Sequence, residues 1–198
     1  MKLLLATNNR HKLQEMKEIL ASVMKDVEIV SLADVLPEPI EVEETGQTLE
    51  ENAYIKAKTL HNLTGLPTIA DDTGLEIDSL QGQPGVRTAR FAGEDATHQD
   101  NVVKTLQLMN AVDTEDRSAM FRTVICYCSE LRTLFAEGMC KGSIATEQQG
   151  KGGFGYDPIF IPEGETRSFA EMESAEKNSI SHRGRALQEF ANIILHYT

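Results

Sequence analysis

The chain is expected to fold as an α/β protein around a mixed β-sheet, and three features of its 198 residues carry that expectation. Short apolar runs alternate with amphipathic helical patterns over the first half, the order that lays helices on a sheet containing parallel strands. Strand candidates then cluster in the second half around a break at Ser129-Glu130-Leu131-Arg132, which adds antiparallel pairing. No repeat, low-complexity tract or linker marks a boundary, so residues 1–198 read as one domain with room for a sizeable core.

Taken in order, Lys2 to Ala6 is a short buried strand that Thr7-Asn8-Asn9 breaks. A helix follows, with Leu13, Met16, Leu20, Val23 and Met24 at helical spacing. Val27 to Val30 is a second strand, and Pro37 and Pro39 punctuate a loop. Thr48-Leu49-Glu50-Glu51 has the form of a capping box and opens a helix striped by Leu49, Ala53, Ala57 and Leu60, which Gly65 and Pro67 end. Thr68 to Asp71 and Leu75 to Ile77 read as two strands interrupted by Asp72-Thr73-Gly74. Gln81 to Gly85 is a loop, and Thr97 to Val112 a helix with Val102, Val103, Leu106 and Met109 on one face. Ala119 to Cys128 and Thr133 to Cys140 pair as a hairpin, and Ile144 to Gln148 is a further strand candidate. The last helix carries Leu187, Phe190, Ala191 and Ile194.

Composition excludes several classes of function. The formal net charge is −12, with no basic stripe, which argues against coating DNA or RNA, since that binding draws on clustered Lys and Arg. A small phosphorylated ligand remains compatible, because a few local cations and a divalent metal can hold it against the global charge. No apolar run approaches the roughly 18 residues that a membrane span requires. Lys2-Leu3-Leu4-Leu5-Ala6 is too short for a signal-peptide core. Cys126, Cys128 and Cys140 suit neither a disulfide framework nor a zinc site, which points to a reducing cytoplasm and to cysteines that serve as small strand residues.

Polar constellations punctuate this frame. Gly152-Gly153-Phe154-Gly155-Tyr156-Asp157-Pro158 lets backbone approach a ligand closely and offers two aromatic rings on which a base could stack. The same run also reads as a glycine-rich turn. Thr7-Asn8-Asn9-Arg10-His11-Lys12 joins strand to helix, where unpaired N–H groups and a partial positive charge favour phosphate; Asn8 or Asn9 also caps that helix. The spacing is not that of a P-loop. Asp71-Asp72 closes an apolar strand, a suitable place for a Mg²⁺ ligand, and adjacent strand residues point to opposite faces, so one of the two faces the metal. Glu43-Glu44 reads either as a second metal ligand or as a solvated acidic loop. Asn52 and Lys56 sit four apart on a helix, and Lys56 reads as an exposed surface lysine or as a phosphate contact. Lys177 with Ser181-His182-Arg183 precedes the last helix and gathers an ammonium, an imidazole and a guanidinium.

In order and spacing these segments, with Glu43 to Gly46, Glu51-Asn52-Ala53, Ala70 to Leu75 and Pro84-Gly85-Val86 with Ala89-Arg90-Phe91, resemble the inosine triphosphate pyrophosphatases, also called XTP/dITP diphosphatases. The resemblance runs from the first strand to the last helix. Thr73 stands where many members carry Ser and keeps the hydroxyl. It implies an elongated mixed sheet flanked by helices, with two lobes around a central nucleotide cleft, in a homodimer. It implies hydrolysis of ITP, dITP and XTP to monophosphate and diphosphate with Mg²⁺. Carried over by position, Thr7, Asn8, Asn9, Arg10, His11 and Lys12 would bind the triphosphate and Glu43 would reach the metal. Asp72 would hold metal and act as base, and Thr73 would contact substrate. Phe154, Gly155, Tyr156, Asp157, Lys177, His182 and Arg183 would bind the nucleoside, with Arg90 a further contact. No Ser, Cys or His stands as an obvious nucleophile, which argues against a phosphoenzyme. The rival readings are a pyrophosphatase of other modified nucleotides, like the Maf proteins, and a nucleotide sensor without turnover.

Overall fold

The first strand, β1 (Lys2–Leu5), hands the chain to helix α1 (Arg10–Val23), which returns it to β2 (Glu28–Ser31). The structure is a computed structural model that describes residues 2–196. β1 and β2 run parallel in the register Leu3↔Ile29 and Leu4↔Val30, the pairing a helical crossover permits. A four-residue helix, α2 (Leu32–Val35), leads on to α3 (Leu49–Thr64) and β3 (Thr68–Ile77), whose start pairs parallel with β1. β4 (Gln83–Gly85) pairs antiparallel with the end of β3. Then come α4 (His98–Leu108), β5 (Ser118–Cys128), β6 (Thr133–Ile144), β7 (Phe160–Pro162), α5 (Ser174–Ile180) and α6 (His182–Leu195). The sheet has seven strands in the order β2-β1-β3-β5-β6-β7, with β4 on β3, and mixes parallel and antiparallel pairs as the sequence predicts.

The chain divides into two compact units. The first holds the residues up to Asp72, Thr123–Gly138 and the segment from His182 on; the second holds Thr73–Arg122 and Met139–Ser181. In the first, the buried side of α1 (Met16, Ile19, Leu20) packs with Leu3, Leu5 and Ile69 of the strands and with Leu187, Phe190 and Ile194 of α6. In the second, Leu75, Ile77, Phe121, Phe160, Phe169 and Tyr156 form the core. All three cysteines are buried and unbridged. No helix among the described residues is long and apolar enough to cross a membrane.

Several local expectations change. Asp72-Thr73-Gly74 does not interrupt a strand: β3 runs unbroken through it. The turn-like composition is overridden by tertiary partners for both aspartates, described below. Helix α4 stops at Leu108 rather than continuing to Val112, and Val103 lies exposed on it. Ile144 ends β6 instead of opening a new strand, and residues 145–150 form no strand. His182 and Arg183 do not precede the last helix but form its first turn, and α5 lies just before it. Gly138 of β6 permits that start, because a Cβ there would stand 2.2 Å from the His182 carbonyl oxygen and 2.3 Å from the Ala186 nitrogen.

Candidate functional site

In the first unit the polar residues gather around the end of β1 and the middle of β3. Asn9 caps α1, its Oδ1 accepting from the backbone N–H groups of His11 at 3.0 Å and Lys12 at 3.1 Å. Thr7 Oγ1 accepts from the Asn9 N–H, and Asn8 Nδ2 donates to the Ile40 carbonyl. Of the two asparagines, Asn9 is therefore the cap. Arg10 and His11 are exposed, whereas Lys12 is half-buried and turns its ammonium to Asp71 Oδ2 at 3.1 Å.

Adjacent strand residues face opposite ways, and the two aspartates of β3 take different partners accordingly. Asp71 Oδ2 accepts from Arg183 Nε at 3.3 Å and Nη2 at 3.2 Å, in addition to Lys12. Arg183 Nη1 reaches Glu15 Oε2 at 2.6 Å. Burial raises the Asp71 carboxyl, but the Lys12 and Arg183 cations outweigh it and hold the group well below its ordinary range.

Asp72 instead accepts from Asn52 Nδ2 at 3.2 Å and lies 3.5 Å from Lys56 Nζ. Burial raises the Asp72 carboxyl; the Lys56 and Lys12 ammoniums pull it down, Glu44 and Asp71 push it up, and the balance is a raised value. Lys56 is not the exposed helix lysine its spacing suggested. It is largely buried, with Glu44 Oε1 at 2.7 Å and Asp72 on its other side, and those carboxylates keep it protonated despite burial. Asn52 also accepts from the Gly46 N–H at 2.8 Å, which ties the acidic loop to Asp72. Of the acidic pair, Glu44 makes this contact and Glu43 is exposed beside it. Capping of α3 supports the arrangement: Thr48 Oγ1 accepts from the Glu51 N–H, while Glu51 accepts from the Gln47 N–H.

Carboxylate oxygens are the ligand type that a hard divalent cation takes. Glu44 and Asp72 each direct an oxygen at the Lys56 ammonium, and Mg²⁺ typically takes one or two such carboxylates and completes its shell with water and phosphate. No group of three or more His, Cys, Asp or Glu side chains converges among the described residues, so a zinc-type cage is not what these residues build.

The second unit holds the glycine-rich loop as a framed platform. Gly153 and Gly155 adopt φ of 67° and 63°, values glycine tolerates without strain. Asp157 is buried and accepts from the Phe154 N–H at 2.8 Å and from Lys177 Nζ at 2.6 Å. That ammonium also lies 4.9 Å from the centroid of the Phe154 ring, within cation–π range. His98 stands at the other end of the platform: its ring centroid is 6.1 Å from that of Phe154, and its Nδ1 accepts from the Gly155 N–H. Tyr156 differs from Phe154. It is 4% exposed, donates its hydroxyl to the Thr88 carbonyl and has its phenol pushed up by burial. Of the two aromatics, Phe154 is the half-buried one. Thr73 is half-buried at the point where β3 enters this unit.

The first unit thus brings together Lys12, Asp71, Asp72, Glu44, Asn52, Lys56 and Arg183, with Thr7, Asn8 and Asn9 in the turn before α1 and Arg10 and His11 exposed at its start, while the second brings together Phe154 to Asp157 and Lys177. Glu15 and His98 join these groups without having been anticipated. Glu15 stands three residues after Lys12, on the same helix face, which is the available sequence signal. His98 offers no such signal, because only the fold brings position 98 to Gly155.

Comparison with known proteins identifies the family and its fold. The Ham1 family pattern matches residues 3–193. The chain belongs to the Ham1 family. A Porphyromonas gingivalis protein named dITP/XTP pyrophosphatase is 47% identical over 194 residues, covering 98% of this chain and 97% of that one. A Thermoanaerobacter pseudethanolicus protein of the same name is 47% identical over 195 residues, with the same coverage. Among solved structures, the Staphylococcus aureus Ham1 protein superposes with a TM-score of 0.86 at 32% identity, covering all of both chains. A HAM1 protein from Coxiella burnetii gives 0.86 at 40% identity over 99% of each. The mixed sheet with flanking helices is therefore the fold of the family.

Proposed function

We propose that this Ham1-family chain hydrolyses non-standard purine nucleoside triphosphates (ITP, dITP and XTP) to the monophosphate and diphosphate. The observation that carries the reading is the division of labour within Asp71-Asp72. One carboxylate is neutralised by Lys12 and Arg183, and the other is raised by burial next to Asn52, Lys56 and Glu44. Relatives named dITP/XTP pyrophosphatase that align over nearly the whole chain support the substrate class.

In this reading the N-terminus of α1 and Lys12 receive the phosphates, with Thr7, Asn8, Asn9, Arg10 and His11 forming the turn around them. Asp72 accepts a proton from the attacking water, a role suited to a carboxylate whose proton affinity burial has raised. Asp72 and the Glu43-Glu44 pair would hold Mg²⁺, which would supply positive charge to the phosphate oxygens as the phosphoanhydride breaks. Lys56 keeps Glu44 and Asp72 together by standing between them, its single positive charge offsetting one of the two negative ones. Phe154 offers the stacking face for the base, and Lys177 and Asp157 hold it in place. The resemblance also assigns Thr73, Gly155 and Tyr156 of the second unit, and His182 and Arg183 of the first, to the nucleoside, Tyr156 through its placement of the loop backbone. The resemblance further supports a cytoplasmic homodimer, which sedimentation of the purified protein tests.

Chromatography of the products from ITP tests the reaction. IMP and diphosphate in equal amounts, formed with Mg²⁺ and not with excess chelator, are expected. Inosine diphosphate with orthophosphate, or unchanged nucleotide, would refute it.

A further inference from the structure

Helix α4 opens at His98 on a fixed footing. Thr97 and Asp100 cap it reciprocally: Asp100 Oδ2 accepts from the Thr97 N–H at 2.8 Å, and Thr97 Oγ1 accepts from the Asp100 N–H at 3.2 Å. Next to them Asn101 is buried, accepting from the Ala92 N–H at 2.7 Å and donating to the Ala89 carbonyl at 2.9 Å. The His98 side chain is itself exposed, and its Nδ1 accepts from the Gly155 N–H at 3.4 Å. An acceptor at Nδ1 leaves the proton of the neutral ring on Nε2. Both residues belong to the second unit. At this exposed position water would satisfy the Gly155 N–H in the absence of the imidazole, so the fold does not depend on the bond. What the bond restricts is the loop. Gly153 and Gly155, at φ of 67° and 63°, are the residues with the widest choice of backbone conformation. Asp157 and Lys177 hold that loop from its buried side, and His98 holds it from the exposed one.

We infer that His98 is a positioning residue for the nucleotide base: it fixes Gly155, and with it the neighbouring Phe154 ring, before the nucleotide arrives. The inference rests on the proposed function above, in which Phe154 is the stacking face. The Phe154 ring has the Lys177 ammonium 4.9 Å from its centroid and the His98 ring centroid at 6.1 Å, so His98 acts on the platform through the loop backbone and through ring contact. A stacking face that is already ordered spares the complex the ordering cost and favours binding with no new contact to the ligand. The base takes no part in phosphoanhydride cleavage. Substrate and transition state therefore gain alike, and the effect falls on KM rather than on kcat.

The test is steady-state kinetics with ITP and Mg²⁺ on wild type, His98→Ala, His98→Asn, His98→Gln, Phe154→Ala and the double variant His98→Ala/Phe154→Ala. His98→Ala should raise KM about fivefold, the scale of one neutral hydrogen bond, with kcat held within about twofold. Asparagine can place its amide oxygen where Nδ1 stands, so His98→Asn should recover most of that loss. Glutamine carries its polar group one bond further out, so His98→Gln should not. In the Phe154→Ala background, whose own KM is raised, His98→Ala should add nothing. A wild-type KM in His98→Ala, a loss confined to kcat, equal KM values for the Asn and Gln variants, or additive effects in the double variant would each overturn the inference. In all of those cases, diphosphate release from ITP by wild type would leave the proposed reaction standing. A wild type that leaves ITP uncleaved would overturn the proposed function and this inference together.

Discussion

Asp72→Asn preserves side-chain shape and removes one negative charge from a position that is 7% exposed. The amide oxygen can still accept from Asn52 Nδ2, which stands 3.2 Å away in the native protein, so the local packing has no reason to open. Neither proton acceptance nor strong cation binding survives the change. Loss of a general base alone costs about 10²–10⁴ in rate, roughly 3–5 kcal/mol of transition-state stabilisation, and loss of metal affinity adds to it. Stability moves the other way. Burial raises the folded-state value of Asp72 above its ordinary 3.8. The native state therefore binds that proton more tightly than the unfolded chain. Its contribution is lost as pH rises from the unfolded value through the folded one, and at pH 7 the charged carboxylate opposes folding. Removing the charge relieves this. The assay pairs diphosphate release from ITP with a thermal melt at pH 7 in chelator: a loss of activity of at least about 100-fold with a melting midpoint no lower than wild type is expected. Activity within tenfold of wild type, or a clearly lowered midpoint, would refute the reasoning.

Other perturbations follow from the same geometry. Asp71 has the opposite sign: its folded-state value lies below the ordinary 3.8, so it contributes stability above pH 3.8 that is lost as pH falls through the folded value. Asp71→Asn should therefore flatten the acid limb of a stability–pH profile measured by urea unfolding. Gly153→Ala should cripple activity, because a Cβ there would stand 2.1 Å from Asp157 Oδ2 in a backbone of φ 67°, displacing the carboxylate that holds Lys177 and the Phe154 N–H; steady-state kinetics with ITP checks it. Gly46→Ala should weaken Mg²⁺ activation, since a Cβ would stand 2.6 Å from Asn52 Oδ1 and push the acidic loop away from Asp72; a magnesium titration of activity measures it.

The sequence made the architecture readable where one force dominates. Apolar spacing revealed α1, and turn chemistry at Ser129 to Arg132 revealed the β5–β6 hairpin, because each reflects interactions within a few residues. Reading failed where tertiary partners override local composition. Asp72-Thr73-Gly74 has the residues of a turn, yet the partners of Asp71 and Asp72 lie on α1, α3 and α6. Lys56 looked like a solvent-facing lysine because its two carboxylate partners are 12 and 16 residues away. Arg183 could be linked to Asp71 and Glu15 only through the fold, across separations of 112 and 168 residues. The platform under Phe154 was half-legible: its glycines stood out, but Lys177 and His98 come from 20 and 57 residues off.

A competition between ITP and ATP in one reaction tests the central claim most directly, because it reads the kcat/KM ratio without separate active-site counts. With Mg²⁺ and equal amounts of each nucleotide, the account predicts that ITP is consumed to IMP and diphosphate before measurable ATP is lost. A site built on polar base recognition reaches discrimination of about 10⁴–10⁵. Parallel loss of both nucleotides would contradict it.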